Sequence, residues 1–310
     1  MAEPISVAVQ RGSVIEAVHR VHAVAVQDGA VVAEAGDPSL VAFLRSASKP
    51  IQALPLARVR DDLDETDLAI ASASHVAEPA QIEAVRQLLA RAPARADELE
   101  CGVQEGRPPE PIYHNCSGKH AGMLALCRAH DWSSEGYRQP GHPVQQAMLA
   151  EHAALAEVEP TEIPTATDGC GVVTFALSLE QVAFAFSRLE QHDGGARVAP
   201  AIRAHPGLIG GAAGADVQLM KAVPGWIAKG GAEGLVCAAG PDGLGVALKA
   251  EDGNQRPLRP ALGAFLARLG ARIDALTAIP LRNSHREVVG NVSVLSEIAE
   301  TNSPKLVNPV

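Results

Sequence analysis

Arg45-Ser46-Ala47-Ser48-Lys49-Pro50 marks the place where the sequence changes its period. Before it, residues 5–10 and 14–26 are rich in Val, Ile and Ala with partial alternation, and Asp28-Gly29 supplies a hairpin turn ahead of residues 30–35, which predicts an antiparallel N-terminal sheet. After it, apolar residues recur at helical spacing over 80–91, 121–130, 143–156 and 177–190, with Pro108-Pro109, Pro140-Gly141 and Pro160 as breaks. Strand patterns return at 225–229, 234–238, 245–250 and 287–295, separated by glycine-rich turns, with one helix near 260–269. Sheet, helices, sheet is an α+β layout: an antiparallel sheet body from 1–45 plus 200–310, a helical subdomain over 46–199, and a cleft where they meet.

Within the dividing stretch, Pro50 suits the first turn of a helix beginning near Ser46 or Ala47. Three residues make nearly one helical turn, so Ser46 and Lys49 share a face. A serine hydroxyl attacks poorly until a base takes its proton, and a lysine stripped of water has a pKa low enough to act as one. Read blandly, Ser-x-x-Lys is common by chance and marks a solvated helix start. Pro55 falls inside the same expected helix.

Three further patches carry reactive side chains. The small-residue run ending at Ser74-His75 exposes a second hydroxyl, which otherwise reads as a helix cap, and Glu78-Pro79 opens the next helix. His114-Asn115-Cys116-Ser117-Gly118-Lys119-His120 and Thr167-Asp168-Gly169-Cys170-Gly171 place two cysteines near nitrogen donors. Neither cysteine belongs to a Cys-x-x-Cys pair, so a metal site, a structural thiol and a reactive thiol all stay open, with His114 and His120 as alternative ligands. Gly169 and Gly171 suggest a tight turn with N–H groups aimed into a cleft, beside Asp168. Lys229-Gly230-Gly231 ends a short strand with a lysine and leaves room along it; Lys249 is a rival of the same kind.

Bulk properties exclude several classes. The 310 residues carry 26 Lys and Arg against 36 Asp and Glu, a net charge of −10, where a grip on nucleic acid or anionic lipid needs a basic field. Aromatic residues at 3% leave no stacking platform for bases. Apolar stretches are too short for a membrane span and no secretion signal opens the chain, so no nucleic-acid or membrane partner and a cytoplasmic location are expected. The five cysteines, Cys101, Cys116, Cys127, Cys170 and Cys237, form an odd set that suits free thiols in a reducing compartment.

Arg-Ser-x-x-Lys-Pro at 45–50, Ala-Ser-His-x-x-Glu-Pro at 73–79, Asn-Cys-Ser-Gly-Lys-His at 115–120, Asp-Gly-Cys-Gly at 168–171 and Lys-Gly-Gly-Ala-Glu-Gly at 229–234 follow one another in an order that resembles the L-asparaginase II family, the thermolabile rhizobial type. The resemblance implies a serine β-lactamase/glutaminase-like fold and hydrolysis of L-asparagine to aspartate and ammonia through a serine acyl-enzyme. It makes Ser46 the nucleophile, Lys49 its base, and Ser74 with Lys229 a second pair that manages protons. It also implies zinc held by Cys116, Lys119 and Cys170, orienting the site rather than activating the nucleophile, and a homodimer. Arg45 and Asp168 are the candidates for the substrate carboxylate and ammonium, because a zwitterion needs both signs nearby; Gly169 and His120 complete the substrate-binding set. The sequence departs from the family at Val76 and Ala77, where a small polar residue and glycine are usual, and over 210–221. Other readings are a glutaminase or β-lactamase-like amidohydrolase, and a non-catalytic zinc-stabilised amino-acid-binding protein.

Overall fold

A computed structural model describes residues 2–295. The sheet pattern begins with β1 (Ile5–Arg11), β2 (Val14–Gln27), β3 (Ala30–Ala35) and β4 (Val41–Phe43). A 3₁₀ turn, Arg45–Ser48, then leads into α1 (Lys49–Gln52), α2 (Leu54–Val59), α3 (Glu65–Ala71), α4 (Pro79–Arg91), α5 (Ser117–Ala129) and α6 (Pro143–Ala156). Next come β5 (Thr165–Thr167), β6 (Val173–Ser178), α7 (Leu179–Arg188), α8 (Gly195–Ala204), α9 (Pro206–Ile209) and α10 (Ala215–Ala222). The chain closes with β7 (Ile227–Gly231), β8 (Leu235–Ala239), β9 (Gly245–Ala250), α11 (Leu258–Arg268), β10 (Ile279–Arg282) and β11 (Val288–Val294).

Among the described residues the main sheet is antiparallel, in the order β10-β11-β1-β2-β9-β8-β7, with β3 pairing the distal half of β2. Its first and last described strands pair inside the sheet, one strand in from the β10 edge: Val7 lies opposite Val294 and Val9 opposite Val292. Gly245, Val246, Ala247 and Leu248 of β9 are all buried, and since successive strand residues point to opposite faces, the sheet is covered on both. α7 packs on β2, β8 and β9, and α11 on β1, β2, β9 and β11. The α7 layer sits so close that a Cβ on Gly245 would fall 1.9 Å from the Ala183 carbonyl oxygen. A second, three-stranded sheet, β4-β6-β5, holds the start of the helical region.

The α+β architecture, an antiparallel sheet flanked by helices, is the one expected, with local corrections. The single helix from Ser46 is a 3₁₀ turn followed by two short helices, because Pro50 and Pro55 each occupy the first turn of a new one. The helix expected over 177–190 begins at Leu179, since Leu177 and Ser178 belong to β6 and the Ser178 hydroxyl caps α7 through the Gln181 N–H. The sheet body drawn from residue 200 contains α9, α10 and part of α8, and its residues 296–310 lie outside the described residues.

Candidate active site

The turn Arg45–Ser48 is fixed from behind by β6. The Leu44 N–H donates to the Phe175 carbonyl at 2.9 Å, the Arg45 N–H to Thr174 Oγ1 at 3.1 Å, and Ser48 Oγ to the Arg45 carbonyl at 2.8 Å. Arg45 itself has φ +50°, a left-handed conformation that a side chain with a Cβ adopts at a cost and that these three bonds hold in place. In front, the edge strand β7 lies against the turn. A Cβ on Gly231 would come within 2.6 Å of the Leu44 carbonyl oxygen and 3.1 Å of the Ala47 nitrogen, so only glycine permits this approach.

Ser46, Ser74, Asn115, Asp216, Lys229 and Gln255, with the glycines at 210, 211, 214, 230 and 231, line one cleft of about 280 Å³, at the small end of ligand pockets. A larger hollow of about 580 Å³ by Asp28, Arg188, His192 and Asp242 holds none of the motif residues.

Lys49 is fully buried, and its amine donates to Ser74 Oγ at 2.9 Å and to the Ala73 carbonyl at 2.6 Å. Its hydroxyl partner in this structure is therefore Ser74 rather than Ser46. Burial pushes its pKa down, opposed by the sulfur of Cys116. Lys229 is buried too and donates to the Gly230 carbonyl at 2.7 Å; burial brings its pKa down to about 8 against the opposing pull of Asp216. Lys249 lies half-buried on β9, bonded to the Ala250 carbonyl and outside the cleft lining. Ser74 hangs from the Ile209 carbonyl by its own N–H at 2.8 Å and caps no helix. The neighbouring His75 is buried with Nε2 2.8 Å from Ser117 Oγ, and Ser117 Oγ donates onward to Ile112 O. The imidazole is thus a donor to that oxygen, and burial brings its pKa down to about 3.

Cys116, Lys119 and Cys170 come together although 54 residues of sequence separate the first from the last. Lys119 Nζ donates to Cys170 Sγ at 3.1 Å, and the Cys170 thiol faces the Cys116 sulfur. The bond from Cys170, with Lys49 and Lys119 nearby, holds Cys116 well below the usual thiol range, and the same bond with burial raises Cys170. Burial works against the Lys119 ammonium, but the charges of Cys170, Cys116 and Asp168 outweigh it and hold its pKa up. Two soft sulfurs and a nitrogen in one buried spot fit zinc chemistry. Among the described residues no cluster of three or more His, Cys, Asp or Glu could hold a metal; this set has a lysine as its third donor. His114 Nδ1 accepts from the Cys116 N–H at 3.0 Å.

Gly171, at φ +84°, makes the expected tight turn and donates to the Asp168 carbonyl. Asp168 is ion-paired with Arg45, and Gly169 lies beside that guanidinium; none of the three lines the cleft. His120 is buried in the core with Nδ1 2.7 Å from the Tyr137 hydroxyl, also away from the lining. Asn115 belongs to a motif that gave it no role, and Asp216 and Gln255 lie outside the motifs. The signal for Asp216 was the glycine spacing Gly210-Gly211 and Gly214 ahead of it; Gln255 had none.

Two hydroxyls and two buried amines around one cleft are equipment for covalent hydrolysis of a carbonyl compound. A family model described as L-asparaginase II matches residues 7–294, and the chain belongs to that family. No curated protein matches the sequence. Similar solved structures include the native form of Mglu, at 14% identity and TM-score 0.49 over 82% of this chain and 65% of that one, so the chain spans just under two thirds of Mglu. Others are a putative β-lactamase from Bacteroides dorei DSM 17855, at 13% identity and TM-score 0.44 over 80% and 93%, and a probable glutaminase from Bacillus subtilis complexed with 6-diazo-5-oxo-L-norleucine, at 15% and 0.36 over 81% and 83%. At these values the likenesses carry no inference about substrate. Among the described residues no helix is long and apolar enough to cross a membrane.

Proposed function

We propose that the chain hydrolyses the side-chain amide of L-asparagine to L-aspartate and ammonia, with Ser46 as nucleophile. The observation that carries this reading is that Ser46, Ser74 and Lys229 face one cleft while the dehydrated Lys49 amine grips Ser74 from beneath it. Ser46 Oγ attacks the carboxamide carbon and gives its proton to a neutral amine, Lys49 directly or through Ser74. Main-chain N–H groups where β7 meets the Ser46 turn offer their dipoles to the developing oxyanion. The C–N bond then breaks, ammonia leaves with a proton returned through Ser74 and Lys229, and water cleaves the ester to regenerate Ser46. Arg45 is the cation next to the nucleophile in the chain; paired with Asp168 outside the cleft lining, it would reach the substrate carboxylate only by leaving that partner.

Cys116, Lys119 and Cys170 would hold a zinc ion, which when bound supplies a fixed positive charge that neutralises the thiolates beside Lys49. Its binding would displace the proton on Lys119. The five buried, unpaired cysteines support a reducing, cytoplasmic setting, and a homodimer belongs to the same reading by family membership.

Ammonia release from asparagine, glutamine and a chromogenic lactam, with zinc content per chain, tests this. Ser46→Ala should abolish release from asparagine with the fold and zinc content kept, and Cys170→Ser should lose the zinc. A fully active Ser46→Ala refutes the nucleophile; turnover of the lactam alone refutes the substrate.

A further inference from the structure

Asparagine brings an α-ammonium into the cleft, and the acid expected to receive it is already engaged: Asp168 is ion-paired with Arg45 and stands outside the lining. Asp216, in the first turn of α10, is the one carboxylate among the lining residues. Its Oδ2 accepts from the Gly230 N–H at 2.7 Å and its Oδ1 from the Val217 N–H at 2.9 Å. An ionised carboxylate has about four acceptor sites, so half stay free. Lys229 forms an ion pair with Oδ2 at 3.8 Å but takes neither free site by a hydrogen bond, since its amine donates to the Gly230 carbonyl.

The backbone is cut away around this group. A Cβ on Gly214 would fall 2.4 Å from Asp216 Oδ1, and one on Gly230 would fall 3.2 Å from Oδ2. The same contacts close the edge of β7. The Gly230 N–H goes to Asp216, the Gly230 carbonyl to Lys229, and the Gly231 carbonyl to Gln255 Nε2 at 2.8 Å. An extended peptide or an acylated amine adds to an edge strand through such main-chain groups, and here the chain's own side chains hold them. A ligand entering this cleft is met by a carboxylate rather than by a free strand edge.

We propose that Asp216 is the specificity residue that binds the substrate's free α-ammonium, restricting the cleft to unmodified amino acids. This rests on the asparaginase reading above for the identity of the substrate. A charge-assisted hydrogen bond inside a small cleft is strong enough to dominate selection, so the wild-type protein should prefer L-asparagine to succinamate, which lacks only the amine, by about thirtyfold or more in kcat/KM.

Asp216→Asn keeps the shape and the acceptor for the Gly230 N–H, gives up the local bond from the Val217 N–H, and removes the charge. It should bring the preference to within about threefold by slowing asparagine hydrolysis far more than succinamate hydrolysis; Asp216→Glu should restore part of it. An equal loss on both substrates would mean that Asp216 only positions Lys229, and overturns the proposal. Calorimetry of the wild-type protein with L-aspartate and succinate reads the same selectivity without turnover: tighter aspartate binding supports the proposal, and equal affinity overturns it. A wild-type protein that releases no ammonia from asparagine overturns the asparaginase reading alone, leaving the calorimetric arm to decide on Asp216.

Discussion

Replacing Gly231 with alanine puts one methyl group where β7 meets the Ser46 turn. The new Cβ would lie 2.6 Å from the Leu44 carbonyl oxygen, and ordinary contact begins at 3.4 Å, so one side must retreat by about 0.8 Å. The three atoms in the way, Leu44 O, Ala47 N and Ala47 Cβ, are backbone or fixed to it and have no rotamer to escape into. The turn is pinned to β6 through Phe175 and Thr174, whereas β7 is an edge strand paired only with β8, so the strand is the side that yields. Overpacking of this kind costs about 1–3 kcal/mol of stability. A displacement near 1 Å across a catalytic cleft costs on the order of 100-fold in rate, because it separates Lys229 from Ser46. Urea denaturation and steady-state ammonia release measure the two effects. Gly207→Ala is the control, since a Cβ there meets nothing within 4 Å, and should stay within about 0.5 kcal/mol of wild type. A Gly231→Ala protein with wild-type midpoint and kcat/KM would falsify the close approach of strand and turn.

Other outcomes follow from local geometry. Ala77 holds φ +61°, a strain of about 1–2 kcal/mol for a residue with a Cβ, so Ala77→Gly should raise stability by roughly 0.5–1 kcal/mol after the extra chain entropy of glycine; a lowered urea midpoint contradicts this. Acid should destabilise the fold in a definite window. Burial brings His75 and His152 down to about 3 and about 4 from 6.5, so below pH 6.5 the unfolded chain takes up protons that the folded one refuses. Stability from this source is complete above pH 6.5 and falls by about 1.4 kcal/mol per pH unit for each group until the folded pKa is reached. A denaturation midpoint that stays constant from pH 7.5 to 5 rules out neutral burial of both imidazoles.

The long hairpin β1–β2 and helices α4 and α6 were legible because many residues repeat one period between clear breaks. β4 and β5 have three residues each, too few to show any period. β6 reads Val-Thr-Phe-Ala-Leu-Ser and is almost wholly buried, so it lacks the alternation of a half-exposed strand and merged with the helix after it. α8 starts on Gly195 and contains Pro200, both of which argue against a helix until its packing on α3 is seen. The five motifs brought Ser46, Lys49, Ser74 and Lys229 to notice because Ser-Lys spacing and glycine neighbours are local facts. That Lys49 grips Ser74, and that Arg45 and Asp168 occupy each other, depends on contacts across 25 and 123 residues, which no local pattern encodes.

The pairing of Val7 with Val294 has a consequence for the protein as it is being made. β1 is made just before β2 and can join it at once, but its other flank stays bare until nearly 290 further residues have been translated. This interior seam is therefore among the last to close, and a nascent chain carries an open, valine-rich ribbon from β1 until β11 is made. Loss of the segment around Val292 would leave that seam permanently open.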